Sequence, residues 1–262
     1  MSAKPELLIH RDAEVLAQAV AARLITRLVD VQSQRGAAHV VLTGGTVGIK
    51  TLAAVAASPA RAAVDWSRVH VWWGDERFLP TGHPDRNETQ ARDALLTGLV
   101  TEGLLKESQI HAMPAADSIG ITPEDAASQY AETLASFARD GADVPAFDVL
   151  MLGMGPDGHV ASLFPGHPAL YEKDRSVVGV HGSPKPPPLR VSLTLPALEA
   201  AQEVWVVAAG AEKAKAAHLA FSGAGVVQVP AAGARGRSRS LWLLDRAAAS
   251  ELPGELAPFA LS

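Results

Sequence analysis

The chain has 262 residues, 48% of them hydrophobic and 19% charged, with a formal net charge of -5. This balance excludes a disordered chain and offers no basic field for nucleic acid. With no cysteine, disulfides and thiolate metal sites are excluded, and no run of 18 apolar residues reads as a membrane span.

Helix-like and strand-like runs alternate along the chain. Ala13 to Val31 is rich in Ala and Leu at helical spacing. His39 to Leu42 reads as a buried strand and Gly48 to Ala57 as a helix. Val69-His70-Val71-Trp72-Trp73 is a second strand. Asn87 to Val100 and Pro123 to Arg139 read as helices, the latter with Thr122 as N-cap and Pro123 at its first position. Phe147 to Leu152 is a third strand and Ser176 to Val180 a short fourth. Arg190 to Leu195 alternates polar and apolar residues, as a strand with one wet face does. Val204 to Ala208 is strand-like, Lys213 to Phe221 helical and Ser240 to Leu244 a last short strand. This order predicts an α/β protein, its mostly parallel sheet covered by helices on both faces. The length suits a single domain over residues 1–262. Met1 to Arg11 mixes charges and a proline with apolar residues and lacks the apolar core of a signal peptide. A soluble, cytoplasmic protein is therefore expected.

Chemistry concentrates where strands end. In a parallel sheet those ends share one edge, so the turns there can converge on one pocket. Thr43-Gly44-Gly45-Thr46-Val47-Gly48 passes from strand to helix. Free N–H groups at a helix start suit an anion, though a tight turn needs the same glycines, and the spacing is not that of a P-loop. Gly74-Asp75-Glu76-Arg77-Phe78-Leu79-Pro80 packs two acids and an arginine behind a Trp-Trp strand. Arg77 either pairs locally with those acids or steadies an oxyanion.

The stretch from Phe147 to His159 carries most of the information. An apolar run ends in Gly153-Met154-Gly155-Pro156-Asp157-Gly158-His159. A neutral imidazole beside a carboxylate is a proton acceptor suited to pH 7. A metal site fits poorly: there is no H-E-x-x-H pair and no cysteine. Ser162 is the nearby serine, but its surroundings are not a nucleophile elbow. His167 reads as an exposed loop residue. Pro184-Lys185-Pro186-Pro187-Pro188 is either a stiff connector or a wall of the site presenting Lys185. Arg190, Ser192 and Thr194 share one strand face by period two, as a wet edge or a row of donors. Lys213 sits at a helix start, where the dipole favours negative charge; an anionic ligand would offset that.

Three segments together resemble one family. Gly155-Pro156-Asp157-Gly158-His159-Val160-Ala161-Ser162-Leu163-Phe164-Pro165 is similar to the signature segment of the 6-phosphogluconolactonases. Gly74 to Pro80 resembles their second signature and Arg190-Val191-Ser192-Leu193-Thr194 their third. The related glucosamine-6-phosphate deaminases share the first segment only as far as the histidine. The resemblance implies a Rossmann-like three-layer α/β/α sandwich. It implies hydrolysis of 6-phosphogluconolactone to 6-phosphogluconate, in the oxidative pentose phosphate pathway, without metal or organic cofactor. It puts the general base at His159, supported by Asp157, with Arg77 near the lactone carbonyl. The phosphate is expected against Gly44, Gly45 and Thr46, with Arg190 and Lys213 as cationic partners, and Asp75 and Asn87 complete the binding residues. Where the family often has Gly-Gly-Ser-Thr-Pro, this chain has Val47 and Gly48 after Thr46, which weakens the phosphate assignment in that loop. The expected partner is a phosphorylated sugar lactone, not nucleic acid or membrane; monomer and dimer both fit. Two rivals stand beside this reading. One is an amino-sugar-phosphate deaminase or isomerase with Asp75 as base. The other is a sugar-phosphate sensor without turnover.

Overall fold

A computed structural model describes residues 5–256. Nine strands and seven α-helices alternate along them. Strands β1 (Pro5–His10), β2 (Ala38–Leu42), β3 (Val69–Trp73), β5 (Val149–Gly153), β8 (Glu203–Ala208) and β9 (Arg239–Asp245) form one sheet in the order β1-β9-β8-β5-β2-β3, with every pairing parallel. The central strands β5 and β8 are buried along nearly their whole length. That is why they read as unbroken apolar runs.

Helices cover both faces. Helix α1 (Ala13–Arg35), α2 (Gly45–Ala57) and the helix running through α3 (Asn87–Ala91), a π-helical turn (Arg92–Leu96) and α4 (Thr97–Thr101) pack on one side. There Leu16, Leu24, Leu52 and Leu99 meet Val40, Leu42, Val71 and Trp73. Helix α5 (Pro123–Phe137), α6 (Leu195–Glu199) and α7 (Ala214–Phe221) lie on the other side, where Tyr130, Leu134 and Ala217 join Val41, Trp72 and Leu150. Successive residues of β2 and β3 thus feed opposite cores, as pleat geometry requires. The expected three-layer Rossmann-like α/β sandwich is the architecture found.

Three expectations need correction. The strands over Ser176–Val180 and Arg190–Leu195 do not join the parallel sheet. As β6 (Val177–Val180) and β7 (Arg190–Leu193) they pair antiparallel and, with β4 (Asp75–Arg77), make a separate three-stranded sheet in the order β4-β7-β6. Nor is the face of Arg190, Ser192 and Thr194 wet. All three are buried, because this small sheet packs against α5 and the main sheet. Helix α2 also begins three residues before the expected Gly48, with Gly44 as its N-cap. Thr122 caps α5 as expected, with Asp125 completing a capping box.

Candidate active site

Six segments supply one cavity of about 230 Å³. Gly44 and Gly45 come from the β2–α2 junction, Asp75 and Arg77 from β4, and Asn87 from the first turn of α3. Gly153, Met154, Gly155 and His159 follow β5. Lys185, Pro186 and Arg190 come from the β6–β7 hairpin, and Lys213 from the turn after β8. The cavity thus lies at the carboxyl ends of the central parallel strands, with the small sheet as its far wall.

The turn after β5 is built around one side-chain pair. Gly155 N donates to His159 O and Gly158 N to Gly155 O, both at 2.9 Å. This folds Asp157 back onto His159, whose Nδ1–H donates to Asp157 Oδ1 at 2.5 Å. A Cβ on residue 155 would overlap both the imidazole and the carboxylate, so Gly155 is demanded by the pair itself. Burial raises the Asp157 carboxyl, but the hydrogen bond and charge of His159, with Lys185 nearby, outweigh it and hold the pKa at about 2. Asp157 is therefore an acceptor at neutral pH. That fixes Nδ1 as the protonated nitrogen and leaves Nε2 as the basic one. The His159 ring rests against Phe164, with ring centres 4.5 Å apart, and its side chain keeps 15% exposure.

Cations crowd the remaining walls. Arg77 does not form the local ion pair with Asp75 or Glu76 that the sequence allows. Its Nη1 donates to Asp85 O at 2.6 Å, and its Nε is buried without a partner. Arg190 lies 5.9 Å over the Phe164 ring and donates to the carbonyls of Lys185, Pro186 and Pro187. It therefore also ties the proline-rich loop down, making that loop the wall that presents Lys185. Burial lowers the Lys185 ammonium from its usual range; Asp157 opposes this, while the charges of Lys213 and Arg190 add to it. Among the described residues, Lys213 pairs with Glu212, 3.7 Å away. An ammonium lowered by burial and by neighbouring positive charge in a partly dry pocket is relieved by an anion.

Beneath them, Glu76 organises the wall. It is almost fully buried and accepts backbone N–H groups from Arg77, Asn87 and Glu88 at 2.7–2.9 Å. Burial pushes its carboxyl up to about 7, against the pull of Arg86 and these donors. Asn87 Nδ2 donates to Asp75 O at 2.9 Å. A Cβ at residue 44 would collide with the Asn87 amide, so Gly44 makes room for that side chain.

Nine of the ten expected site residues converge in this way: Gly44, Gly45, Asp75, Arg77, Asn87, His159, Arg190 and Lys213 line the cavity, and Asp157 stands behind His159. Thr46 opens instead on an adjoining cavity of about 330 Å³, which shares Gly44, Gly45 and Lys213 with the first. Thr43 and Ala161, not foreseen, also line the first cavity. The Thr43 hydroxyl accepts from Gly153 N at 2.9 Å, a link between neighbouring strand ends that no local pattern announces. Gly48 has its own reason: a Cβ there would press on Thr43 O at 2.6 Å.

The chain matches the family model described as glucosamine-6-phosphate isomerases/6-phosphogluconolactonase over residues 11–242. It is 60% identical to a 6-phosphogluconolactonase of Streptomyces coelicolor, covering 98% of both chains. Against that of Mycobacterium tuberculosis it is 46% identical, covering 94% of this chain and 97% of the other. The solved structure of 6-phosphogluconolactonase from Trypanosoma brucei superposes with a TM-score of 0.81 at 27% identity, over 95% of this chain and 99% of that one. With a matched model over most of its length and full-length relatives at this identity, the chain belongs to the glucosamine-6-phosphate isomerase/6-phosphogluconolactonase family.

Proposed function

We propose that this protein hydrolyses 6-phospho-D-glucono-1,5-lactone to 6-phospho-D-gluconate, with the whole chain acting as one lactonase domain. The observation that carries the reading is the meeting of the His159–Asp157 pair with Arg77, Lys185, Arg190 and Lys213 around one cavity. A base and an anion-binding wall in one pocket suit a phosphorylated ester. The names of the full-length relatives support the same substrate.

In the mechanism, His159 Nε2 removes a proton from water as the water oxygen attacks C1. Asp157 holds the ring in the required tautomer and favours the imidazolium that forms. Arg77 offers its guanidinium to the developing oxyanion. The tetrahedral intermediate then breaks its bond to the ring oxygen, which takes the proton back from His159. The phosphate lies among Lys213, Lys185, the free face of Arg190 and the N–H groups of Gly44 and Gly45. Thr46 borders the adjoining space. Asp75 and Asn87 supply acceptors to the sugar.

The test is acid release from freshly generated lactone, followed against the spontaneous rate, with glucosamine 6-phosphate in parallel. Lactone turnover well above background with no ammonia from the amino sugar is expected. Ammonia release without lactone turnover would reverse the assignment in favour of a deaminase.

A further inference from the structure

Ser162 stands three residues beyond His159, is fully buried, and does not line the cavity. Burial removes it as a nucleophile, yet its hydroxyl is committed. Ser162 Oγ donates to Asp75 Oδ2 at 2.7 Å. Its backbone N–H donates to Ser192 Oγ at 3.1 Å, and Ser192 Oγ donates onward to Leu193 O at 2.9 Å. Two buried serines thus form a bracket beneath a carboxylate that itself faces the cavity. Asp75 Oδ1 has no hydrogen-bond donor among the described residues.

A second acceptor stands beside it. Asn87 is 3% exposed, and its Oδ1 is buried without a partner, while its Nδ2 donates to Asp75 O. A buried acceptor left unpaired costs stability unless a ligand supplies the donor. Across the cavity the protein groups are donors, so the ligand must bring hydroxyls to this wall.

We infer that Ser162 is a positioning residue for substrate selection: it fixes Asp75 so that its Oδ1 accepts a ring hydroxyl. This rests on the lactonase reading above. Period-two geometry sets Asp75 and Arg77 on one face of β4, roughly 7 Å apart. With Arg77 at the C1 carbonyl, the hydroxyl that reaches Asp75 is the one on C2.

The experiment compares hydrolysis of 6-phosphogluconolactone with that of its 2-deoxy counterpart by wild type, Ser162→Ala, Asp75→Asn and the double variant. Wild type is expected to prefer the hydroxylated lactone by about tenfold or more in kcat/KM, as loss of a hydrogen bond to a charged acceptor implies. Ser162→Ala should raise KM for that lactone about tenfold, keep kcat within about twofold, and reduce the preference to about twofold. Because both changes act on one acceptor, the double variant should add little to Asp75→Asn. An unchanged KM and preference in Ser162→Ala would overturn the inference, as would a fall in kcat alone. Should Ser162→Ala not fold, an undiminished preference in Asp75→Asn would overturn it equally. Wild type without any lactone turnover removes the functional reading and this inference together; wild-type turnover with an unaltered Ser162→Ala removes the inference alone.

Discussion

At the scale of single residues, the proposed chemistry depends on which nitrogen of one imidazole is free. Asp157 is ionised down to about pH 2 and can only accept, so His159 presents Nε2 to the cavity. Removing the ring takes away the proposed base but little of the cavity wall, since the cations proposed to hold the phosphate come from other segments. General-base catalysis contributes about 10²–10⁴ in rate. His159→Ala should therefore lower kcat by that factor and move KM by less than about threefold; steady-state kinetics above the spontaneous background decides it. A kcat within about threefold of wild type would remove His159 from the chemistry. The pair was legible in the sequence because Asp157 and His159 are two residues apart and bracketed by glycines. The partner of Ser162 was not, because Asp75 lies 87 residues away and only the packing of the small sheet onto the β5 turn brings the two together.

Elements were legible to the extent that burial wrote itself into local pattern. Strand β5 is apolar throughout, and β8 is apolar after Glu203, because helices cover both their faces. Strand β4 carries the residues Asp75, Glu76 and Arg77, which have no strand signature, and takes its form from pairing with β7. Strand β1 begins at Pro5 and carries Glu6, tolerable on a sheet edge and misleading to a reading by pattern. At the other edge β3 is guarded by a group that no local pattern announces: His39, His70 and His111 stack with Trp72, with neighbouring ring centres 3.9–5.3 Å apart. Trp72 Nε1 donates to His39 Nδ1 at 3.1 Å. Burial is the main cause holding His39 to about 3 and His111 to about 4, and it lowers His70 as well; for His39 the charges of Arg139 and Arg35 add to this. These rings bind protons more weakly folded than unfolded, so their contribution is complete above the unfolded value of about 6.5 and is lost as pH falls toward 4 and 3. Each fully coupled ring adds at most about 1.4 kcal/mol per pH unit over that window. Urea midpoints measured from pH 7.5 to 4.5 should fall for wild type and fall less steeply for His39→Phe, which keeps a ring in the stack but cannot titrate. Parallel slopes for the two proteins would show that the stack does not control acid stability.

On the scale of the whole molecule, the site belongs to neither sheet alone. The parallel sheet delivers Gly44, the β5 turn and Lys213; the small sheet delivers Asp75, Arg77 and Arg190. Alternation of strands and helices was enough to place the first group on one edge. It could not reveal the second sheet, because β4 finds its antiparallel partner β7 far along the chain, and that pairing leaves no trace in the local pattern of either strand. A ligand gripped from both sides should therefore act as a brace. An anion of the product's size, 6-phosphogluconate, binds the folded state alone, so at about 100 times its dissociation constant it should add about 2.7 kcal/mol to unfolding free energy. For a chain of this length that is a rise of roughly 5–10 °C in Tm. Lys213 reaches the cavity from the parallel sheet and Arg190 from the small sheet. Lys213→Ala should thus lose most of the rise, and so should Arg190→Ala, independently of any change in basal stability. Both variants should also show a raised KM with kcat largely retained. Differential scanning of the three proteins with and without 6-phosphogluconate separates the possibilities. If the rise survives in Lys213→Ala but not in Arg190→Ala, the phosphate is held by the small sheet, and the parallel-sheet edge plays no part in binding. If it survives in both, the cationic wall is not where the anion rests.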